Sequence, residues 1–395
     1  MRIEQDAAER ERLARDRSSF RVLPAAVAFP RDAPEVAEAL GWARERGLAV
    51  TARAGGSSVA GQCLGEGLVL DTSGLDGIEP DGEAVWCGAG VGLDELNAAL
   101  EPHGRMLGPD TTSSEWARVG GIVATNACGS RSLRYGRVGE VVQALEGVDA
   151  AGAPLALEAG ELPQALVAGL GTVLEGLEQD LAAGWPAIHR GFGGYRLDAF
   201  ARERDALSLV PGSEGTLCLL TRARLATVPL PQRRDLSRAE FPTLRAALDV
   251  APACVATGAS AVEVLDTHLT GGDPVLLVEH LDEPDGPGRL PAVFELLAPG
   301  DAERAWRMRH DALVHLAAAG REPVALFEDP AVAAEQAGPF CDELLALLGS
   351  RGLDAVVYGH AGAGCLHVRP LVDPRAPGLA RTLMDAQRAV ADLVA

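Results

Sequence analysis

The sequence predicts an α+β protein of two domains. Three observations predict it. At 395 residues the chain is too long for one ordinary core. Its first hundred residues alternate short apolar runs with helical segments, the pattern of strands joined by a crossover helix. At PLPQRRD (229–235) two prolines and a charge cluster interrupt the chain, and the pattern changes beyond them.

Taken in order, AAVAF (25–29) reads as a strand. Asp32 and Pro34 mark a helix start, EVAEALGWARERG carries apolar positions at helical spacing, and LAVTA (48–52) is the next strand. The glycine-rich RAGGSSVAGQ follows, then strands LVLD (68–71) and AVWCG (84–88), and an amphipathic helix LDELNAALEPHG (93–104) closed by a glycine. Residues 108–136, GPDTTSSEWARVGGIVATNACGSRSLRYG, are rich in Gly, Ser, Thr and Asn. An irregular stretch of that length in a compact domain is expected to bind something. LEGVDAAG (145–152) is a strand entering a turn; 208–231 is a glycine turn, a strand or helix start, then a second strand. Further on, helical segments alternate with strands expected at VEVLD, PVLLVEH, RLPAVFELL, VALFE and AVVYG, and ARTLMDAQRAVADLVA (380–395) is a helix. The expected domains are 1–232 and 233–375, with 376–395 returning to the first.

Hydrophobic residues make up 47% and charged residues 23%, as in soluble globular proteins. A net charge of −21 argues against nucleic acid and anionic membrane surfaces and admits a basic protein partner. The chain has no lysine, all 35 basic residues being arginine, which with its abundant Ala, Gly, Leu and Val reads as the codon bias of a GC-rich bacterium. The polar N-terminal stretch lacks the apolar centre of a signal peptide, and no run approaches the roughly 18 apolar residues of a membrane span. Cys63, Cys87, Cys128, Cys218, Cys254, Cys341 and Cys365 form no CxxC pair, so a reducing cytoplasm without disulfides is expected.

Two motifs carry chemistry. In Arg53-Ala54-Gly55-Gly56-Ser57-Ser58-Val59-Ala60-Gly61 the glycines let the backbone turn its N–H groups toward an anion. No helix opens with the motif and no GK[ST] follows, so it is neither a dinucleotide fingerprint nor a Walker loop; a plain tight turn is the other reading. In YGHAGAGCLHV, His360 and His367 flank a run of small residues. Such a pair suits a metal or a catalytic site, or a glycine-rich hairpin whose histidines are simply hydrogen-bonded. Arg369 lies two residues beyond His367, on the same face of a strand.

Four segments in order, TARAGGSSVAGQ, GPDTTSSEWARVGGIVATNACGSRSLRYG, GSEGTLCLLT and GHAGAGCLH, carry a resemblance that covers about residues 15–390. The chain resembles the FAD-linked oxidases of the vanillyl-alcohol oxidase/PCMH superfamily, in the branch of D-lactate and D-2-hydroxyacid dehydrogenases that includes the flavin-binding glycolate oxidase chains. The resemblance implies a PCMH-type FAD-binding domain with an α/β cap for substrate. It implies that Gly55, Gly56, Ser57, Ser58 and Gly61, after Arg53, cradle the FAD pyrophosphate. Pro109, Asp110, Ser113, Gly120, Gly121, Asn126, Gly129 and Ser130 would line the pyrophosphate and flavin, and Glu214, Gly215 and Thr216 would complete the pocket. Arg118 replaces a small polar residue and is expected beside the FAD or the cap. The first loop has no histidine for a flavin bond, so non-covalent FAD is expected.

For the second domain the resemblance implies a divalent metal on His360 and His367, holding the hydroxyl and carboxylate of a small hydroxy acid while hydride leaves for the flavin. Arg309, in WRMR, would grip the carboxylate, and Arg369 is a second anion contact. Departures weigh against the metal. Ala363 replaces an acidic residue, and the EHG segment that supplies a third ligand in the branch does not occur. Glu328 and Asp329 of LFEDP are the substitutes, with nothing in the sequence to orient them. A metal-free site with one histidine as general base is the alternative. The electron acceptor is oxygen, a quinone or a protein carrier. Two other readings stand beside hydroxy acid oxidation: a repurposed flavoenzyme of specialised metabolism, and a flavin-carrying subunit with little activity alone.

Overall fold

A computed structural model describes residues 1–161, 164–183, 188–191, 193–311 and 322–395. They fall into two compact units. One comprises Met1–Gly129, Gly136–Trp185 and Phe192–Leu230, the other Ser130–Tyr135, Pro186–Gly191 and Pro231–Ala395.

In the first unit, Ala26–Ala28 and Val50–Arg53 both pair in parallel with Leu68–Asp71. The short strand Ile3–Glu4 adds on antiparallel to Ala26–Ala28. The crossover is the helix Ala33–Glu45. Asp32 caps it by accepting the Glu35 N–H at 2.9 Å, and Val36, Ala39, Leu40 and Ala43 recur at helical spacing as its buried face. Leu68–Asp71 is buried at every position, which is why LVLD reads as a continuous apolar run. A five-stranded antiparallel sheet follows, in the order Ile78–Asp81, Ala84–Gly88, Cys218–Ala226, Val142–Asp149, Pro154–Glu158. One apolar cluster joins the two sheets through Leu70, Val85, Leu96, Val119, Leu145 and Leu225.

The second unit is built on a seven-stranded sheet ordered Glu295–Leu296, Arg234–Glu240, Val275–Leu281, Ala261–Leu265, Asp354–His360, Cys365–Val372, Glu322–Pro323. Every pairing in it is antiparallel. Side chains alternate between its faces. Val262, Val264, Val357 and Val368 share a cluster with Leu248, Leu344 and Leu348 of two covering helices. Ala261, Leu265, Val356 and Tyr358 share another with Trp306 of the helix Pro299–Asp311. The second of these faces carries the candidate site.

Three expectations are corrected. The helix Leu379–Val394 does not return to the first unit: Ala386 and Val390, one turn apart, lie in the same cluster as Leu344 and Leu348. RLPAVFELL yields only the edge strand Glu295–Leu296, because Pro291 opens a turn closed by the Phe294 N–H at 3.0 Å. VALFE forms no strand; Phe327 makes an isolated bridge to Val368, with Pro323 and Pro330 on either side. Among the described residues no helix is long and apolar enough to cross a membrane. None of the seven cysteines is in a disulfide.

Candidate active site

Asp354–His360 and Cys365–Val372 form a hairpin in which Tyr358 opposes His367 and His360 opposes Cys365. Ala361–Ala363 make its turn, and Gly364 leaves it with φ +66°. A side chain at Gly364 would also meet the Val332 carbonyl oxygen at 2.0 Å, so glycine is required there twice over. The two-residue period places Tyr358 and His360 on one face with His367 and Arg369. The His360 and His367 rings stand edge to face with centroids 5.0 Å apart. The Tyr358 ring lies 4.9 Å from His367, and the Arg309 guanidinium 5.1 Å from Tyr358.

Sequence reasoning missed the residue beneath them. Glu263 is fully buried in the strand Ala261–Leu265, next to Asp354–His360. One of its oxygens lies 2.6 Å from His360 Nδ1, and the other accepts the Arg309 Nε–H at 2.6 Å. The signal was a lone carboxylate inside the apolar run AVEVL. Arg309 is 3% exposed, so it is no solvated surface arginine, and its Nη2 has no hydrogen-bond partner among the described residues. Burial opposes ionisation of Glu263, but His360 and Arg309 outweigh it and hold the carboxyl below its usual range. Burial holds the His360 imidazole well below its ordinary value, against the pull of Glu263 and with help from the Arg190 charge. His360 is therefore neutral at pH 7.

Glu328 and Asp329, which the sequence could not orient, both turn toward His367. Asp329 Oδ1 lies 2.7 Å from His367 Nδ1, and Glu328 Oε2 3.7 Å from it. The Asp329 contact is short but off the line of a hydrogen bond. Glu328 also faces Arg369, 3.0 Å from its Nη2. Burial raises the Glu328 carboxyl despite Arg369 and His367. His367 holds the carboxyl of the exposed Asp329 below its usual range. Glu328, Asp329 and His367 each offer a ligand atom within 4.8 Å of the others. Three donors able to hold a divalent ion thus lie together on this unit, the substitutes Glu328 and Asp329 with His367, in a group that does not include His360. The donors are already engaged with one another and with Arg369.

The first unit holds the glycine-rich loop. Gly56 and Gly61 have φ of +65° and +84°. None of the N–H groups of residues 55–61 donates to an acceptor among the described residues. A row of free amides in a turn is a cradle for an oxyanion such as a pyrophosphate. A side chain on Gly55 would meet the Trp116 carbonyl oxygen at 1.8 Å, one on Gly121 the Ala54 Cβ at 2.9 Å, and one on Gly129 the Asp110 Oδ1 at 2.5 Å. The stretch containing Pro109 and Ser113 therefore packs on the first loop backbone to backbone. Gly120 lies as close to Ala89. Asn126 takes φ +49° and accepts the Gly139 N–H at 2.8 Å. Glu214 (φ +51°) and Gly215 turn the chain at the end of the helix Val119–Ala124, where the Glu214 N–H donates to the Ala124 carbonyl at 2.9 Å. Thr216 Oγ1 is 2.7 Å from the Tyr195 hydroxyl.

Two arginines have local partners. Arg53 donates to the Arg15 carbonyl at 2.8 Å and tethers the N-terminal segment. Arg118 donates to the Gly90 carbonyl and lines a groove of about 410 Å³ with Arg53, Gly55 and Trp116. Ser130 groups with the second unit. Ser57 and Ser58 stay in the loop, where the Ser58 carbonyl accepts the Arg17 N–H at 3.0 Å.

Comparison with known proteins agrees with this layout. Residues 24–158 match the FAD binding domain model, and residues 292–395 match the FAD linked oxidases, C-terminal domain. The chain thus carries an FAD binding domain and a C-terminal domain like that of FAD linked oxidases. The cofactor of an FAD binding domain is FAD, and the free amides of 55–61 fit its pyrophosphate. The chain is 30% identical over 440 residues to D-2-hydroxyglutarate dehydrogenase of Escherichia coli, covering 93% of this chain and 42% of that one. It is 28% identical over 379 residues to D-lactate dehydrogenase of Archaeoglobus fulgidus, covering 88% and 75%. The chain thus spans less than half the length of the bacterial D-2-hydroxyglutarate dehydrogenases it matches. A structure of alkyldihydroxyacetonephosphate synthase shares the two-domain α+β fold, with TM-score 0.68 and 16% identity over 99% of this chain and 82% of that one.

Proposed function

We propose that this chain is an FAD-linked oxidase that oxidises a small hydroxy acid to the oxo acid. The observation that carries the reading is a buried guanidinium, Arg309, with a free Nη2 beside a neutral imidazole, His360. That pairing supplies an anion fork and a proton acceptor in one apolar place. The names of the relatives, D-2-hydroxyglutarate and D-lactate dehydrogenase, support the same class of substrate.

Arg309 and Arg369 hold the carboxylate, and His360 accepts the hydroxyl proton through Nε2. Tyr358 and His367 close the apolar and polar sides of the same face. FAD supplies the two-electron acceptor for the hydride on the α-carbon. The loop 55–61 holds it non-covalently by backbone amides, with Pro109, Asp110, Ser113, Gly120, Gly121, Asn126, Gly129, Glu214, Gly215 and Thr216 around it. Glu328, Asp329 and His367 would hold a divalent ion, which would lower the pKa of the substrate hydroxyl. The proton acceptor on His360 does not depend on it. The electron acceptor is oxygen, a quinone or a protein carrier, of which a basic carrier suits the acidic chain, and seven cysteines without a disulfide suit a reducing cytoplasm.

The test is anaerobic. The purified protein is expected to be yellow, to release its flavin on acid precipitation, and to bleach with one or more members of a panel of 2-hydroxy acids. A flavin that no hydroxy acid bleaches would overturn the reading.

A further inference from the structure

We infer that Glu263 is a positioning residue that decides which nitrogen of His360 is basic and aims the Arg309 fork at the same time. The geometry is a single buried carboxylate between two donors, each 2.6 Å away and each only 3% exposed as a residue. A carboxylate only accepts hydrogen bonds. The proton of the neutral ring is therefore on Nδ1, and the lone pair is on Nε2. Arg309 spends its Nε–H on the other oxygen, which leaves Nη2 without a protein partner among the described residues. The two functions that hydroxy acid oxidation would need are thus set by one side chain, and the kinetic part of the inference rests on that reading.

The same geometry says what an isosteric change does. In Glu263→Gln one oxygen becomes an amide NH2. The Arg309 Nε–H cannot accept a hydrogen bond, so the amide oxygen must stay with Arg309 and the NH2 must face His360. The imidazole can accommodate that only by moving its proton from Nδ1 to Nε2. The opposite orientation sets two donors against each other in a buried place, which costs a buried unsatisfied group. Glu263→Gln therefore keeps the shape and inverts the tautomer, whereas Glu263→Asp keeps an acceptor and the tautomer.

The test reads the tautomer directly, in protein labelled with ¹⁵N-histidine. Long-range ¹H–¹⁵N correlation spectra of FAD-loaded wild type, E263Q and E263D are compared, with H360N assigning the signals. The expected result is Nδ1–H in wild type and E263D and Nε2–H in E263Q. Nδ1–H in E263Q, or Nε2–H in wild type, would overturn the inference. Anaerobic flavin reduction is measured alongside. It should fall about 10²-fold or more in kcat for E263Q, less for E263D, at equal flavin content. A purely structural role would lower both variants alike and leave the tautomer unchanged. If wild type bleaches with no hydroxy acid, the functional reading fails while the spectra still decide Glu263. If E263Q does not fold, the wild-type and E263D spectra decide, and Nε2–H in either rejects the assignment.

Discussion

The imidazoles of His360 and His367 meet edge to face, 5.0 Å apart, and each presents Nδ1 to a different carboxylate, Glu263 at 2.6 Å and Asp329 at 2.7 Å. The two pairs are unequal. His360 and Glu263 are buried together, whereas the Asp329 side chain is 54% exposed. Removing His360 strands a buried carboxylate oxygen; removing His367 leaves its partner in water. His360→Ala is expected to destabilise the second unit by about 2–3 kcal/mol and His367→Ala by about 1 kcal/mol or less. Denaturant unfolding followed by circular dichroism checks the order, and equal losses would contradict it.

A second expectation concerns metal. Asp329 faces His367 and Glu328 faces Arg369, so an ion would have to displace both contacts and sit near a guanidinium. Weak binding is expected. Elemental analysis should give well under one zinc, iron or manganese per chain, and a chelator should leave flavin reduction unchanged. One ion per chain with chelator-sensitive turnover would show that Glu328 and Asp329 give up their partners.

Gly55 sets the third. Any side chain there meets a backbone carbonyl, Trp116 O at 1.8 Å, rather than the far end of a flexible side chain. Gly55→Ala must push the loop 55–61 from the stretch behind it, at about 1–3 kcal/mol. The variant should retain less flavin, read as the ratio of visible to protein absorbance, while the second unit keeps its stability. Full flavin content would show that the amides of this loop are not the cradle.

The fourth is a pH dependence. His280 is fully buried; its Nε2 lies 2.8 Å from Thr257 Oγ1, whose own hydrogen goes to the Cys254 carbonyl. Nδ1 is buried without a partner among the described residues. Burial lowers the imidazole pKa, with the Arg289 charge adding to the effect, against Asp235, Glu283 and Glu279. The folded pKa lies below the unfolded value of 6.5, so between the two the unfolded chain binds more protons. The contribution is intact above pH 6.5 and is lost as pH falls toward the folded pKa; His360 acts in the same direction. The melting temperature should drop from pH 8 to pH 5, and His280→Gln should flatten the slope. A melting temperature that rises on acidification would reverse the sign.

The local features were legible in the sequence. The glycines at 55, 56 and 61 advertise a backbone that must turn and approach, and the period of a strand alone puts Arg369 on the face of His367. Those are properties of near neighbours, written at short spacing. RLPAVFELL and VALFE misled because apolar content imitates a strand where prolines break the ladder. Glu263, 97 residues from His360, became a partner only because Ala261–Leu265 lies beside Asp354–His360 in the sheet. Strand order likewise put Phe327 against Val368, which brought Glu328 and Asp329 to His367. The docking of Ala386 and Val390 on the helix Ala337–Gly349 kept the last helix in the second unit. By itself the sequence determined which segments turn, which alternate and which pack. Only tertiary structure decided which distant carboxylate meets which histidine, because burial makes that choice through the pairing of strands, and no spacing along the chain encodes it.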